Sequence, residues 1–223
     1  MSLASAYLFL LGLAAGTAVL AMTAFRHVSP RWLRWVLFAV GAFQVGRYVA
    51  LACFTAPDAP IRFWELRRFW FASAVGLTLP SVVALDQLVR HPAMTPKKLL
   101  IRFSPFLAAY GAVILFGSFT AIPDRVAGWA LELTGWWPAF VSVVQGAFVI
   151  LFIGICVWII RKLPSEPIRT SAARLLVAHA YLAFDGALLA FGGWYFRPFL
   201  FSEMLALLAL WHAFETVNSL RSV

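Results

Sequence analysis

Four polar side chains fall deep inside stretches that are otherwise apolar: Arg47, Gln145, Asp185 and Glu203. Counted at helical rise from the end of each stretch that adjoins a basic loop, they lie about 21, 22, 21 and 24 Å in. An ionisable group in such surroundings is costly, so it is expected to face other protein and to mark function or a lock. One arginine between two carboxylates can be neutralised by charge-assisted hydrogen bonds. Glu65, Arg67 and Arg68 stand at the rim of the same level. The expectation is a polar cavity open to the outside, with Arg47, Glu65, Arg68, Gln145, Asp185 and Glu203 as contacts for a small-molecule ligand. A purely structural ion-pair network of Arg47, Asp185 and Glu203 stays equally open.

A second polar level lies toward the opposite end. Asp86 and Glu215 are about 6 Å from that end, His212 about 10 Å and His179 about 12 Å. These four are expected to form a hydrogen-bonded switch or proton layer joining three helices, with solvated or structural roles as the alternative. His212 and Glu215 are three apart and share a helix face. No HExxH or paired-cysteine spacing goes with them, so no metal site is expected. No cofactor is expected either: the histidines lack a haem-attachment motif, and the last apolar stretch has no lysine for a retinal Schiff base. There is no GxSxG, glycine-rich phosphate loop or aspartate-rich motif. Ser73 and Ser202 are only nominal nucleophiles, and no residue is assigned a catalytic role.

The elements that must position these groups follow from composition. Of 223 residues, 63% are apolar and only 12% charged. A water-soluble fold would lack the polar residues to cover its surface. A hydrocarbon core ~30 Å thick needs about 20 apolar residues per crossing, and seven crossings would use nearly the whole length. The expectation is one all-α domain over 1–223, a seven-transmembrane helix bundle, with helices at about 3–25, 32–56, 63–91, 99–122, 135–162, 169–193 and 197–220. A kinase, a nucleotide-binding cassette or a DNA-binding module would each need on the order of 100 polar-patterned residues, and no such stretch exists.

A net charge of +9 would suggest nucleic acid in a soluble protein. Its placement argues for orientation instead. Arg26, Arg31, Arg34, Arg90, Lys97, Lys98, Arg102, Arg161, Lys162, Arg169, Arg174 and Arg221 fall beside alternate connections, against Arg62, Arg67, Arg68, Arg125 and Arg197 beside the others. The positive-inside bias makes the first group cytoplasmic, which places the N-terminus outside and the C-terminus inside. The bilayer is the expected partner and nucleic acid is not. The first apolar run has no basic n-region or cleavage site and is expected to be a retained helix.

Pro30, Pro57, Pro60, Pro92, Pro96, Pro123, Pro164, Pro167 and Pro198 fall in or beside the gaps, where a missing N–H is harmless. Pro80 and Pro105 lie inside spans and mark either a cavity or a packed kink. The segment PDRVAGWALELTGW, from Pro123 to Trp136, carries apolar residues at helical spacing and is expected along the membrane interface. Trp64, Trp70, Trp129, Trp136, Trp137, Trp194 and Tyr195 form the matching aromatic belt. Cys53 and Cys156 lie at different depths, so no disulfide is expected.

From Val45 onward the chain reads VGRYVALACFTAP, then FWELRRFWFASAVGLTLPSVVALDQLVRH, a basic turn PKKLLIR, and SPFLAAYGAVILF. This resembles the N-terminal seven-helix sensor domain of bacterial histidine kinases, with its aromatic-rich third helix carrying Gly and Pro, a basic turn, and a fourth helix opening near a proline. The resemblance implies a multi-pass protein of the bacterial inner membrane that senses an external or membrane-borne cue and transmits it through its last helix. After Asn218 only SLRSV remains, so output is expected in trans, through a membrane or cytoplasmic partner. A small-solute transporter and an accessory subunit of a larger membrane complex are the alternatives.

Overall fold

A computed structural model of the chain describes residues 3–89, 95–190 and 199–220. Arg90, Pro92, Trp194, Tyr195, Arg197, Pro198 and Arg221, named above, lie outside the described residues. The elements in order are α1 (Leu3–Ala24), a 3-10 turn (Phe25–His27), α2 (Arg31–Cys53), the short α3 (Ala59–Arg62), a 3-10 segment (Trp64–Phe69), α4 (Ala72–Val89), α5 (Pro96–Phe116), β1 (Phe119–Asp124), β2 (Gly128–Leu133), α6 (Trp137–Lys162), α7 (Glu166–Ala190) and α8 (Leu200–Ser219).

Six helical stretches are long and apolar enough to cross a membrane: Leu3–His27, Arg31–Cys53, Trp64–Val89, Pro96–Phe116, Trp137–Lys162 and Leu200–Ser219. The chain is thus a largely helical, membrane-type protein. Helix α7 is as long, at 25 residues, but Glu166, Arg169, Arg174, His179 and Asp185 dilute its apolar character below that of the six.

Start signals are local. Thr95 caps α5 by accepting from the Lys98 backbone N–H at 3.3 Å, and Pro96 follows at the position where its missing N–H costs nothing. Packing then decides which faces turn inward. Helix α1 buries Tyr7, Leu11, Ala14, Ala18, Ala21 and Ala24, a stripe at three- and four-residue spacing whose small members let α2 and α8 come close. Its other faces leave Leu8, Phe9, Leu13 and Val19 exposed, as lipid contact requires.

The helices close a ring in the order α1, α2, α4, α5, α6, α7, α8, with α8 returning to α1 and also touching α4. Helix α4 is buried on every side over residues 76–85, which makes it the central element. Both cysteines are free.

One expectation is corrected. The segment after α5 is a β-hairpin, not a helix along the interface: Phe119 pairs with Leu133, Ala121 with Leu131 and Pro123 with Trp129. Its cause is the turn. Asp124 Oδ1 accepts from the backbone N–H groups of Val126 and Ala127, each at 2.8 Å, and Gly128 takes a positive φ of 76°. A three-residue loop closed by a left-handed glycine is a standard hairpin connection. The hairpin is stitched to the end of α2, where Trp129 donates its backbone N–H to Phe54 O at 3.1 Å and its indole N–H to Pro57 O at 3.1 Å.

Candidate functional site

Three polar residues of α2, Gln44, Arg47 and Tyr48, sit on its buried face at helical spacing. Glu203, in the first turn of α8, meets all three. Arg47 donates through Nη2 to Glu203 Oε1 at 2.9 Å and through Nε to Oε2 at 3.3 Å, a two-pronged fork. Tyr48 donates to Oε2 at 3.0 Å, and the Gln44 amide N–H group reaches Tyr48 Oη at 2.8 Å and Oε2 at 3.4 Å. Arg47 is 3% exposed and Glu203 1%. Removing two such charges from water costs several kcal/mol each, which only good geometry and extra hydrogen bonds offset. Glu203 receives both here.

Arg47 and Gln44 are less completely served. Among the described residues, Arg47 Nη1, Gln44 Oε1 and the Tyr7 hydroxyl are buried without a hydrogen-bond partner. Gly76 on α4 permits this arrangement: a Cβ there would overlap Gln44 Oε1 and come within 3.1 Å of the Gln44 Cβ and Cδ.

The ion pair forms part of the wall of an interior cavity of about 620 Å³. Its body is apolar, through Leu77, Phe148, Val149 and Leu182, and its polar points are few, among them the Arg47–Glu203 pair, Ser73, Tyr110, Ser142, Gln145 and His179. Thr78, beside Pro80, borders it too and hydrogen-bonds Tyr110 across to α5. Strand β2 covers one side with Ala130 to Leu133, so Glu132 joins the lining. That size and mix, mostly apolar with a few convergent polar groups, is what small-molecule sites have.

Of the residues expected to share one polar level, the cavity gathers Arg47, Gln145 and Glu203 and leaves out Asp185. Among the described residues no ion pair joins Asp185 to Arg47, so the expected trio is a pair. Depth along a helix does not fix what a side chain faces; rotation does. His179, Leu182 and Gly186 line the cavity from α7, and Asp185 points roughly 90° round the helix from that stripe. Glu65 and Arg68 are not cavity residues either. Glu65 lies exposed on the 3-10 segment, 3.1 Å from Arg67 Nη1 and 3.5 Å from Arg68 Nη2. The outer wall they were expected to form is built by β2, Trp70 and Phe71.

The second expected layer is also divided. His179 is buried, stacks on Phe152 at 4.1 Å, and lies 2.9 Å from both Leu175 O, through Nδ1, and Ser81 Oγ, through Nε2. A carbonyl can only accept, so Nδ1 carries the proton of the neutral ring and Nε2 accepts from Ser81. Ser81 is fully buried, His179 borders the cavity, and their contact pins α4 to α7. His212 turns Nδ1 to Ser171 Oγ at 3.3 Å, and Ser171 donates to Thr216 at 2.9 Å, tying α7 to α8. Asp86 and Glu215 are half-buried, and among the described residues no hydrogen bond joins either to the histidines.

Sequence reasoning missed Gln44, Tyr48 and Tyr7. The first two were readable as polar neighbours of Arg47, three residues before it and one after, on the same helix face. No family model matches the chain, and no curated protein matches it.

Proposed function

We propose that this chain is a seven-span membrane receptor module that holds a small amphipathic ligand in the interior cavity and signals to a partner in trans. In this reading α7 is the sixth crossing, the N-terminus is outside, the C-terminus is cytoplasmic, and the membrane is the bacterial inner membrane. The placement of the basic residues supports the orientation, and the resemblance to histidine-kinase sensor domains supports the class.

One observation carries the reading: the wall of the cavity contains the ion pair that joins α2 to α8. A ligand that fills the apolar body and presents an acceptor head competes with Glu203 for the Arg47 guanidinium. Its binding energy is then spent on the helix that leads to the C-terminus. Buried Nη1 is a donor with no partner among the described residues, which favours an anionic or carbonyl-bearing head over a cationic one.

The test uses the Gln145→Cys variant in a Cys53→Ser, Cys156→Ala background, reconstituted in lipid nanodiscs. The rate of thiol labelling by a small charged thiosulfonate is followed with decanoate or decyltrimethylammonium, which share a tail and differ in the head. Decanoate slows labelling several-fold, the cation does not, and Arg47→Met removes the protection. Equal rates under all conditions, or equal protection by the cation, contradict the reading. Flux of decanoate across vesicles, lost in Arg47→Met, would make the protein a carrier instead.

A further inference from the structure

A second concavity, of about 550 Å³, lies between α7 and α8 on the outer surface of the bundle, separate from the interior cavity. Two helical stripes form it. Helix α7 contributes Thr170, Arg174 and Val177, spaced four and three residues apart, and α8 contributes Leu205, Leu208 and His212 in the same manner. Val177 is 58% exposed, Leu205 39% and Leu208 40%, so the groove faces the bundle's surroundings.

Arg174 is the anomaly. It lies eight residues into α7, about 12 Å along the helix, amid apolar neighbours. It is exposed, and among the described residues it has no ion pair. His212 beside it is no counter-charge: its Nδ1 is turned to Ser171, leaving Nε2 as the ring's remaining polar atom. The charge nearest along the chain, Arg169 on α7, shares its sign. Glu166 in the first turn of α7 and Glu215 on α8 are the carboxylates of these two helices nearest this end, and neither pairs with it.

A guanidinium on a lipid-facing groove is costly unless an anion meets it, and an arginine can reach several Å along its own stem to do so. We infer that the α7–α8 groove binds an anionic phospholipid, its phosphate held by Arg174 and its acyl chain laid along Val177, Leu205 and Leu208. Arg174, the one basic residue lining the groove among the described residues apart from His212, selects an anionic over a zwitterionic headgroup, since a basic residue near a membrane surface favours anionic lipid by about fivefold. This site stands independently of the ligand proposed for the interior cavity.

The experiment is native mass spectrometry of the full chain, titrated with phosphatidylglycerol or phosphatidylcholine of identical acyl chains. The native protein retains phosphatidylglycerol about fivefold more than phosphatidylcholine. Arg174→Gln brings the two to the same level, while Arg102→Gln, which removes an exposed arginine on α5, leaves the preference intact. Val177→Trp keeps every charge but fills the groove, and it lowers retention of phosphatidylglycerol as well. Size-exclusion profiles show that each variant remains folded. Equal loss in Arg174→Gln and Arg102→Gln would mean diffuse surface charge and overturn the site. So would equal retention of both lipids by the native protein, or a native dimer that Arg174→Gln and Val177→Trp turn into monomers.

Discussion

Arg47 on α2 and Glu203 on α8 are separated by 156 positions in the chain and meet at 2.9 Å in the interior of the bundle. The contact fixes the relative rotation of two helices that α1 and α4 also bridge. It also sets a charged but paired surface in the wall of an otherwise apolar cavity.

Breaking this pair from one side is costly. Arg47→Met leaves a buried carboxylate unpaired, and Glu203→Met leaves a buried guanidinium, so each lowers stability by about 3–5 kcal/mol. The double variant Arg47→Met/Glu203→Met recovers most of that loss, because two apolar side chains of similar size leave no uncompensated charge. Thermal unfolding of the three purified variants in one detergent gives the coupling. Additive losses would show that the two residues do not act as a pair.

Gly76 carries a packing prediction. Any side chain there meets Gln44, and the overlap is with the amide that supports Glu203. Gly76→Ala lowers stability by about 1–3 kcal/mol, the usual cost of an overpacked interior. In Gly76→Ala/Gln44→Ala the combined loss is smaller than the sum of the single losses, since the shortened side chain makes room.

The contact between Ser81 and His179 predicts a hydrogen-bond penalty. Ser81→Ala leaves His179 Nε2 buried without its donor, at a cost of about 1–3 kcal/mol. His179→Phe keeps the stack on Phe152 and removes the lone pair. Adding Ser81→Ala to His179→Phe therefore costs less than Ser81→Ala alone, measured by the same unfolding assay.

Much of this architecture was legible in the chain, and the misses have identifiable causes. Hydropathy and proline placement found the long apolar helices, because in lipid a spanning segment must be both apolar and continuous. The helix expected at 99–122 nevertheless ends at Phe116, where β1 takes over the last residues, and the one expected from 63 opens as a 3-10 segment with α4 beginning at Ala72. Arg47 and Glu203 stood out because ionisable groups in such segments are rare. Depth along a helix can be counted, but the direction a side chain faces depends on neighbours that the sequence does not name, which is why Asp185 was grouped with them. The hairpin was misread for a different reason. Apolar residues in WALEL fit helical spacing as well as strand alternation over so short a run, and the deciding signal was Asp124 four residues before Gly128.

That turn makes its own prediction. At Gly128 a side chain meets a positive φ, disfavoured by about 1–2 kcal/mol, and would lie 2.9 Å from the backbone of Thr55 and 3.0 Å from Phe54 O. Backbone atoms cannot swing aside. Gly128→Val therefore displaces the hairpin, and because β2 walls the cavity, thiol labelling at Gln145→Cys accelerates. Unchanged labelling would mean that the hairpin does not cover the cavity.

The central claim is that occupancy of the cavity is communicated to α8 through Arg47 and Glu203. Its most direct test is the spin-label distance between Ser219→Cys at the end of α8 and Ser165→Cys beside the start of α7, in the Cys53→Ser, Cys156→Ala background in nanodiscs. Saturating decanoate is predicted to shift that distance by about 1–2 Å, the scale of helix movements in switching proteins, and Arg47→Met is predicted to abolish the shift. A distance that stays fixed while decanoate protects Gln145→Cys would contradict the claim.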